Sequence, residues 1–164
     1  MHLVIDGYNL LHRLPEFSGP QGRRALLLAL KIYRDKKKHK LTVVFDGGPD
    51  PQPTRASEQG IPIINSGGEK SADDVIAEMA GRHGPGLTVV TDDRELAQRC
   101  QKHGSQVIAC WEFSQPLLSS ALGSDVLDYD QQEDQGWNFS TRKKGPSRRL
   151  PKKKRRKARR LQRL

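Results

Sequence analysis

The chain reads as an α/β fold organised on a parallel sheet. Three observations predict it. Runs of β-forming residues recur, and three of them end on acids: Leu3-Val-Ile-Asp6, Leu41-Thr-Val-Val-Phe45 before Asp46, and Leu87-Thr-Val-Val-Thr91 before Asp92-Asp93. The stretches between them carry apolar residues at helical spacing. The alternation of strands with helices then implies right-handed crossovers and a parallel sheet.

Taken in order, the first strand spans 2–6. A loop with Pro15 and Pro20 follows, then a helix from about Gln21 to Lys38, whose apolar positions are Ala25, Leu26, Leu28, Ala29, Ile32 and Tyr33. Its basic end, Lys36 to Lys40, suits the negative pole of the helix dipole. The second strand is 41–45. Residues 47–60 are rich in Gly and Pro and read as a loop. The third strand is 61–64, with Pro62 suggesting an edge. Ser71-Ala-Asp-Asp74 opens a helix that buries Ala72, Val75, Ile76 and Met79, and His83-Gly-Pro-Gly86 ends it. A fourth strand (87–91), a helix (about 93–103), a fifth strand (106–109) and a short helix (111–118) complete the body. The expected order is 3-2-1-4-5, which sets strands one and four side by side.

In open α/β sheets ligands bind beyond the carboxyl ends of the strands, where the order reverses. That rule brings Asp6, Asp73 or Asp74, and Asp92 or Asp93 to one rim. Each acid also has a structural explanation. Asp6 and Asp46 precede glycines and suit turns. Ser71 with Asp74, and Asp92 with Glu95, fit the pattern of a helix-capping pair. Together, however, clustered carboxylates repel unless a cation neutralises them. Oxygen-only ligands select hard ions, here Mg²⁺ or Mn²⁺.

Of the 29 Lys and Arg among the 164 residues, 14 lie in 141–164, which has no acid. Residues 121–140 hold five acids and no Lys or Arg, and residues 1–120 carry 15 bases against 14 acids, a net of +1. The overall +10 therefore belongs to the end of the chain. Three regions follow: a body at 1–120, an acidic linker at 121–140 and a basic tail at 141–164. Like-charge runs of this kind are typically disordered arms that bind nucleic acid. Lys152, Lys153, Lys154, Arg155, Arg156, Lys157, Arg159 and Arg160 are the candidate RNA contacts there, supplying salt-sensitive affinity without base selectivity. The acidic 121–134 segment is a candidate to fold over this tail, and Trp137 and Phe139 to stack on bases or dock the linker. Cys100 and Cys110 lack metal-type spacing. With no secretory signal evident, they suggest reduced thiols and a cytoplasmic location. No apolar run is long enough to cross a membrane.

Several chemistries are excluded. No G-x-G-x-x-G follows the first strand. Gly67-Gly-Glu-Lys-Ser71 departs from a phosphate loop at Glu69. No His/Cys set has zinc spacing. Ser66 and Ser71 lack the partners of a nucleophile. A phosphatase wants Asp-x-Asp after its first strand, but Gly7 and Tyr8 follow Asp6; a receiver wants Lys after its last strand, where Trp111 stands.

The boxes at 4–11 (Val-Ile-Asp-Gly-Tyr-Asn-Leu-Leu), 42–47 (Thr-Val-Val-Phe-Asp-Gly), 71–76 (Ser-Ala-Asp-Asp-Val-Ile) and 89–96 (Val-Val-Thr-Asp-Asp-Arg-Glu-Leu) resemble the NYN branch of the PIN-like nucleases. In particular they resemble the bacterial YacP-type proteins, which are ribosome-associated endoribonucleases. The resemblance covers residues 1 to about 115. It implies a three-layer, Rossmann-like domain with a central five-stranded parallel sheet. It also implies Mg²⁺- or Mn²⁺-dependent endonucleolytic hydrolysis of mRNA or rRNA, leaving a 5′-phosphate and a 3′-hydroxyl. The family's metal-binding acids fall on Asp6, Asp73 and, with Thr91 setting the register, Asp93; its partner Asn falls on Asn9. Asp46, Asp74 and Asp92 stand as candidates for supporting or second-metal groups and equally for turns and caps. Arg23, Arg24 and Arg94 lie at helix starts by the rim, where they would grip a phosphate or simply face solvent. The alternative is a catalytically silent RNA- or ribosome-binding protein on the same fold.

Overall fold

The structure, a computed structural model, describes residues 1–123. Its order is β1 (His2–Asp6), α1 (Gly7–His12), α2 (Gly22–Lys37), β2 (Lys40–Phe45), β3 (Thr54–Glu58), β4 (Ile61–Asn65), α3 (Ala72–His83), β5 (Leu87–Val90), α4 (Arg94–Lys102), β6 (Gln106–Ile108) and α5 (Cys110–Leu122), with short 3₁₀ turns at Pro15–Phe17 and Gly84–Gly86. The linker beyond Gly123 and the basic tail lie outside the described residues.

The sheet is mixed and six-stranded, in the order β3-β4-β2-β1-β5-β6. This corrects the expected five-stranded parallel sheet. The additional strand, β3, comes from residues read as a loop. It runs antiparallel to β4, pairing Thr54 with Asn65 and Glu58 with Ile61. Its residues, Thr-Arg-Ala-Ser-Glu, carry no apolar alternation because the strand lies at the edge and is largely exposed. Gln59 and Gly60 turn the hairpin with positive φ, a left-handed conformation that favours glycine. Pro62 consequently lies inside the sheet rather than on its edge. The register to β2 starts at Ile63, one residue later, so its missing N–H falls before the parallel pairing. Within the parallel set, β1 does lie between β2 and β5, with Ile5 opposite both Val43 and Val90.

The strands are buried on both faces, which is why they read as unbroken apolar runs. Leu3, Ile5, Val43 and Phe45 face α2 and α5 through Leu26, Leu30, Tyr33 and Phe113. Val4, Val44 and Val89 face α3 and α4 through Val75, Ile76, Leu96 and Cys100. Each such aliphatic side chain contributes about 1.5 to 3 kcal/mol by burial. The final helix is longer than expected and accommodates Pro116 in its interior. Lys36 Nζ donates to the carbonyl of Ser120 at 2.7 Å, tying α2 to α5. Both cysteines are free and buried. Burial pushes the Cys100 thiol up to about 11 and the Cys110 thiol up to about 12, so both stay protonated at neutral pH. No helix among the described residues is long and apolar enough to cross a membrane.

Candidate metal and nucleic-acid site

The first acid is positioned by α1, a helix that forms where the sequence predicts a loop. Asp6 ends β1 and caps α1: its Oδ1 accepts the backbone N–H of Asn9 at 3.1 Å. The Asn9 amide donates to Asp6 Oδ2 at 2.9 Å. Asp6 is only 6 % exposed, and these donors satisfy its buried carboxyl oxygens. The signal for α1 was slight: an Asp at the cap position and Leu10, beside Gly7, on the buried side of the short helix.

The end of β5 supplies the second. Asp93, not Asp92, caps α4, its Oδ1 accepting the N–H of Leu96 at 2.8 Å. Thr91 joins the two acids. Its buried hydroxyl accepts the N–H of Asp93 at 3.1 Å and lies 3.4 Å from both Asp6 Oδ2 and the Asn9 amide. From the sequence, Thr91 serves only to set the register. A hydroxyl directly after Val89-Val90 and before the acid pair was the sign of a further role.

Asp73 lies in the first turn of α3. Burial, then the negative charges of Asp93 and Asp6, hold its carboxyl above the ordinary aspartate range, against the opposing pull of Arg99. The three acids therefore share one electrostatic neighbourhood at the carboxyl ends of β1 and β5. All three donors are carboxylates, a set suited to a hard divalent cation, and a cation would relieve their repulsion. Among the described residues, no three His, Cys, Asp or Glu side chains are gathered into a ready-made ion-holding group. An ion would have to draw the side chains together.

The remaining acids are occupied by the scaffold. Asp46 Oδ1 accepts the N–H of Ala72 at 2.8 Å and the hydroxyl of Ser66 at 3.1 Å, fastening the start of α3 to the end of β2. Asp74 accepts from Arg99 at 2.8 Å and from Ser71 at 3.0 Å, and these bonds hold its carboxyl below the ordinary range. Asp92 takes Arg13 Nε at 2.5 Å and the N–H of Cys110 at 2.9 Å, fixing α5 to the end of α1.

The arginines also divide. Arg23 is committed to Glu58 at 2.6 Å, and its guanidinium lies 4.1 Å from the centre of the Phe45 ring. Arg24 and Arg94 are exposed. Lys70, in the loop that loosely resembles a phosphate cradle, pairs with Glu78 at 2.5 Å. A groove of about 380 Å³ lies between α3 and α4, lined by Ala77, Glu78, Gly81, Arg99, Lys102 and His103. Lys152, Lys153, Lys154, Arg155, Arg156, Lys157, Arg159 and Arg160 fall outside the described residues.

Comparison with known proteins bears on this arrangement. The family model for the YacP-like NYN domain matches residues 3–163. The match runs through the basic tail, well past the residue near 115 where the motif resemblance stopped. Two crystal structures of Rae1 (YacP) from Bacillus subtilis are similar in fold. One, of a single-site mutant, superposes with a TM-score of 0.62 at 18 % identity, covering 72 % of this chain and 75 % of that one. The other gives 0.60 at 18 % identity, covering 76 % and 78 %. At that identity the likeness concerns the fold alone. No curated protein matches the chain.

Proposed function

Because the chain belongs to the YacP-like NYN domain family, whose members have a nuclease-type, RNA-related function, we propose that it is a divalent-metal-dependent endoribonuclease. Asp6, Asp73 and Asp93 would hold Mg²⁺ or Mn²⁺. The observation that carries this reading is the gathering of those three carboxylates near the ends of β1 and β5, where burial first, and then the charges of Asp93 and Asp6, raise the proton affinity of Asp73. Clustering acids in this way is unfavourable in the empty protein and becomes favourable around a cation.

The bound ion supplies two effects: it lowers the pKa of a water and offsets charge building on the phosphate. The chain supplies the geometry. Asn9 holds both oxygens of Asp6 through its backbone and side-chain N–H groups. Thr91 ties that unit to the α4 cap. Asp46 and Asp92 act through the scaffold, by placing α3 and α5. In-line attack on an RNA phosphodiester would leave a 5′-phosphate and a 3′-hydroxyl. The basic tail would add sequence-independent affinity, and rRNA on the ribosome is the partner it suits. Acidic residues 121–134 would compete with RNA for that tail. Exposed Arg24 and Arg94 remain available to substrate phosphates, whereas Arg23 is already committed.

The test is cleavage of single-stranded RNA with Mn²⁺ by the full-length protein, with and without EDTA. Cleavage abolished by EDTA and by Asp6→Asn or Asp93→Asn is the expected result; undiminished cutting by both variants removes the proposal. Converting Lys152 to Lys157 to glutamine should weaken RNA binding and flatten its dependence on salt. A silent RNA- or ribosome-binding protein is the second reading. What favours it is that, among the described residues, no three His, Cys, Asp or Glu side chains already form an ion-holding group. RNA binding without cleavage in any divalent metal would select it.

A further inference from the structure

The rim carries an exposed aromatic that the acids do not explain. Tyr8 stands between Asp6 and Asn9 in the chain and is 39 % exposed. Its ring is not loose. It meets the fully buried Phe45 ring edge-on, with centroids 5.2 Å apart and planes at 72°. Three features build this seat. Gly7 has no side chain, and a Cβ there would come within 2.6 Å of Phe45 Cδ1, so α1 can settle onto the ring only with glycine at that position. Phe45 closes β2 next to β1, which places it beside the Asp6 strand end. The Arg23 guanidinium covers Phe45, and Glu58 and Asn65 hold it there through 2.6 Å and 3.5 Å contacts.

The core thus presents one aromatic ring to solvent, held in place, two residues from the candidate metal ligand. Trp111 is more exposed, at 61 %, but no ring contact secures it among the described residues. A pre-positioned ring loses less freedom on binding than a mobile one. Every nucleobase has a π-face, so a held aromatic beside a phosphate-cleaving centre is suited to stack a single-stranded base.

Resting on the nuclease reading above, we propose that Tyr8 is a base-stacking contact for a nucleotide flanking the scissile phosphate of single-stranded RNA. Phe45 and Arg23 are positioning residues behind it. This assigns Arg23 a task other than phosphate binding.

The experiment measures binding of a short fluorescent single-stranded RNA to the full-length protein, in EDTA to prevent cleavage and at raised salt to suppress the tail. Tyr8→Ala and Tyr8→Leu should each weaken binding about 5- to 100-fold, and Tyr8→Phe should stay within about 2-fold of the parent. Tyr8→Leu keeps an apolar cover over Phe45, and thermal unfolding reports whether it is folded. Walking one abasic site along the RNA should reveal a position whose loss weakens the parent protein and leaves Tyr8→Leu unaffected. This walk also tests the parent protein without any substitution. Unchanged affinity in a folded Tyr8→Leu, or no sensitive position in the walk, overturns the inference. If the parent cleaves RNA with Mn²⁺ while Tyr8→Leu binds normally, the stacking idea alone fails. If the parent never cleaves but Tyr8→Leu still loses affinity at one abasic position, the ring binds RNA and the nuclease reading fails.

Discussion

Two neighbouring strand ends carry the same dipeptide and use it differently. β1 ends on Asp6-Gly7 and β2 runs into Asp46-Gly47. After β1 the backbone enters a helix, Gly7 is needed for close approach to Phe45, and Asp6 is buried under Asn9 and Thr91. After β2 the backbone turns with φ +83° at Gly47, a conformation L side chains rarely adopt, although a Cβ there would meet nothing within 4 Å. There Asp46 is exposed and spends one oxygen on the start of α3 and on Ser66. Asp6, the ligand in the proposed site, is held by both of its oxygens; Asp46 fastens β2 to α3 through one. The adjacent pairs divide the same way. In Asp92-Asp93 the first is tied to Arg13 and α5, and the second caps α4 beside Asp6. In Asp73-Asp74 the second takes Arg99, and the first stays in the shared field. An acid's neighbours, more than its motif, decide which job it does.

The largest effect that would break this division is catalytic. Asp6→Asn should lower Mn²⁺-dependent RNA cleavage by at least about 100-fold, whereas Asp46→Asn should stay within about 10-fold. Equal losses in the two variants, measured as initial rates, would erase the distinction. Asp46→Asn should instead cost about 1 kcal/mol in urea unfolding, the usual loss for a weakened helix cap.

The glycines sharpen the comparison next. Gly7→Ala should destabilise by about 1 to 3 kcal/mol through overpacking against Phe45, and Phe45→Leu should recover part of that loss. Gly47→Ala should cost about 1 to 2 kcal/mol through backbone strain, with no recovery from any neighbouring truncation.

A pH effect follows from Asp73. Its folded-state acid lies above the ordinary value of 3.8, so between those two values the folded protein binds more protons than the unfolded one. Stability therefore falls as pH rises through that window. Asp73→Asn should remove the fall and be the more stable protein at neutral pH without metal. Mn²⁺ should raise the melting temperature of the parent and leave Asp73→Asn nearly unchanged. A thermal scan across pH, with and without Mn²⁺, checks both. The smallest effect is at the fastened acid: Arg13→Gln should cost less than about 1 kcal/mol, as partly exposed ion pairs do, and leave cleavage within about 2-fold.

The parallel core was legible along the chain, because strands buried on both faces are mostly apolar and so announce themselves. The residue types at the strand ends were legible too. β3 stayed hidden because an exposed edge strand needs no apolar alternation, and α1 because a six-residue helix leaves little periodicity to read. Only the packing shows which aspartate of each pair is tied to an arginine. That choice depends on where Arg13, Arg99, Ser66 and the helix N–H groups lie, and a chain read along its length does not show which distant donor will reach which oxygen.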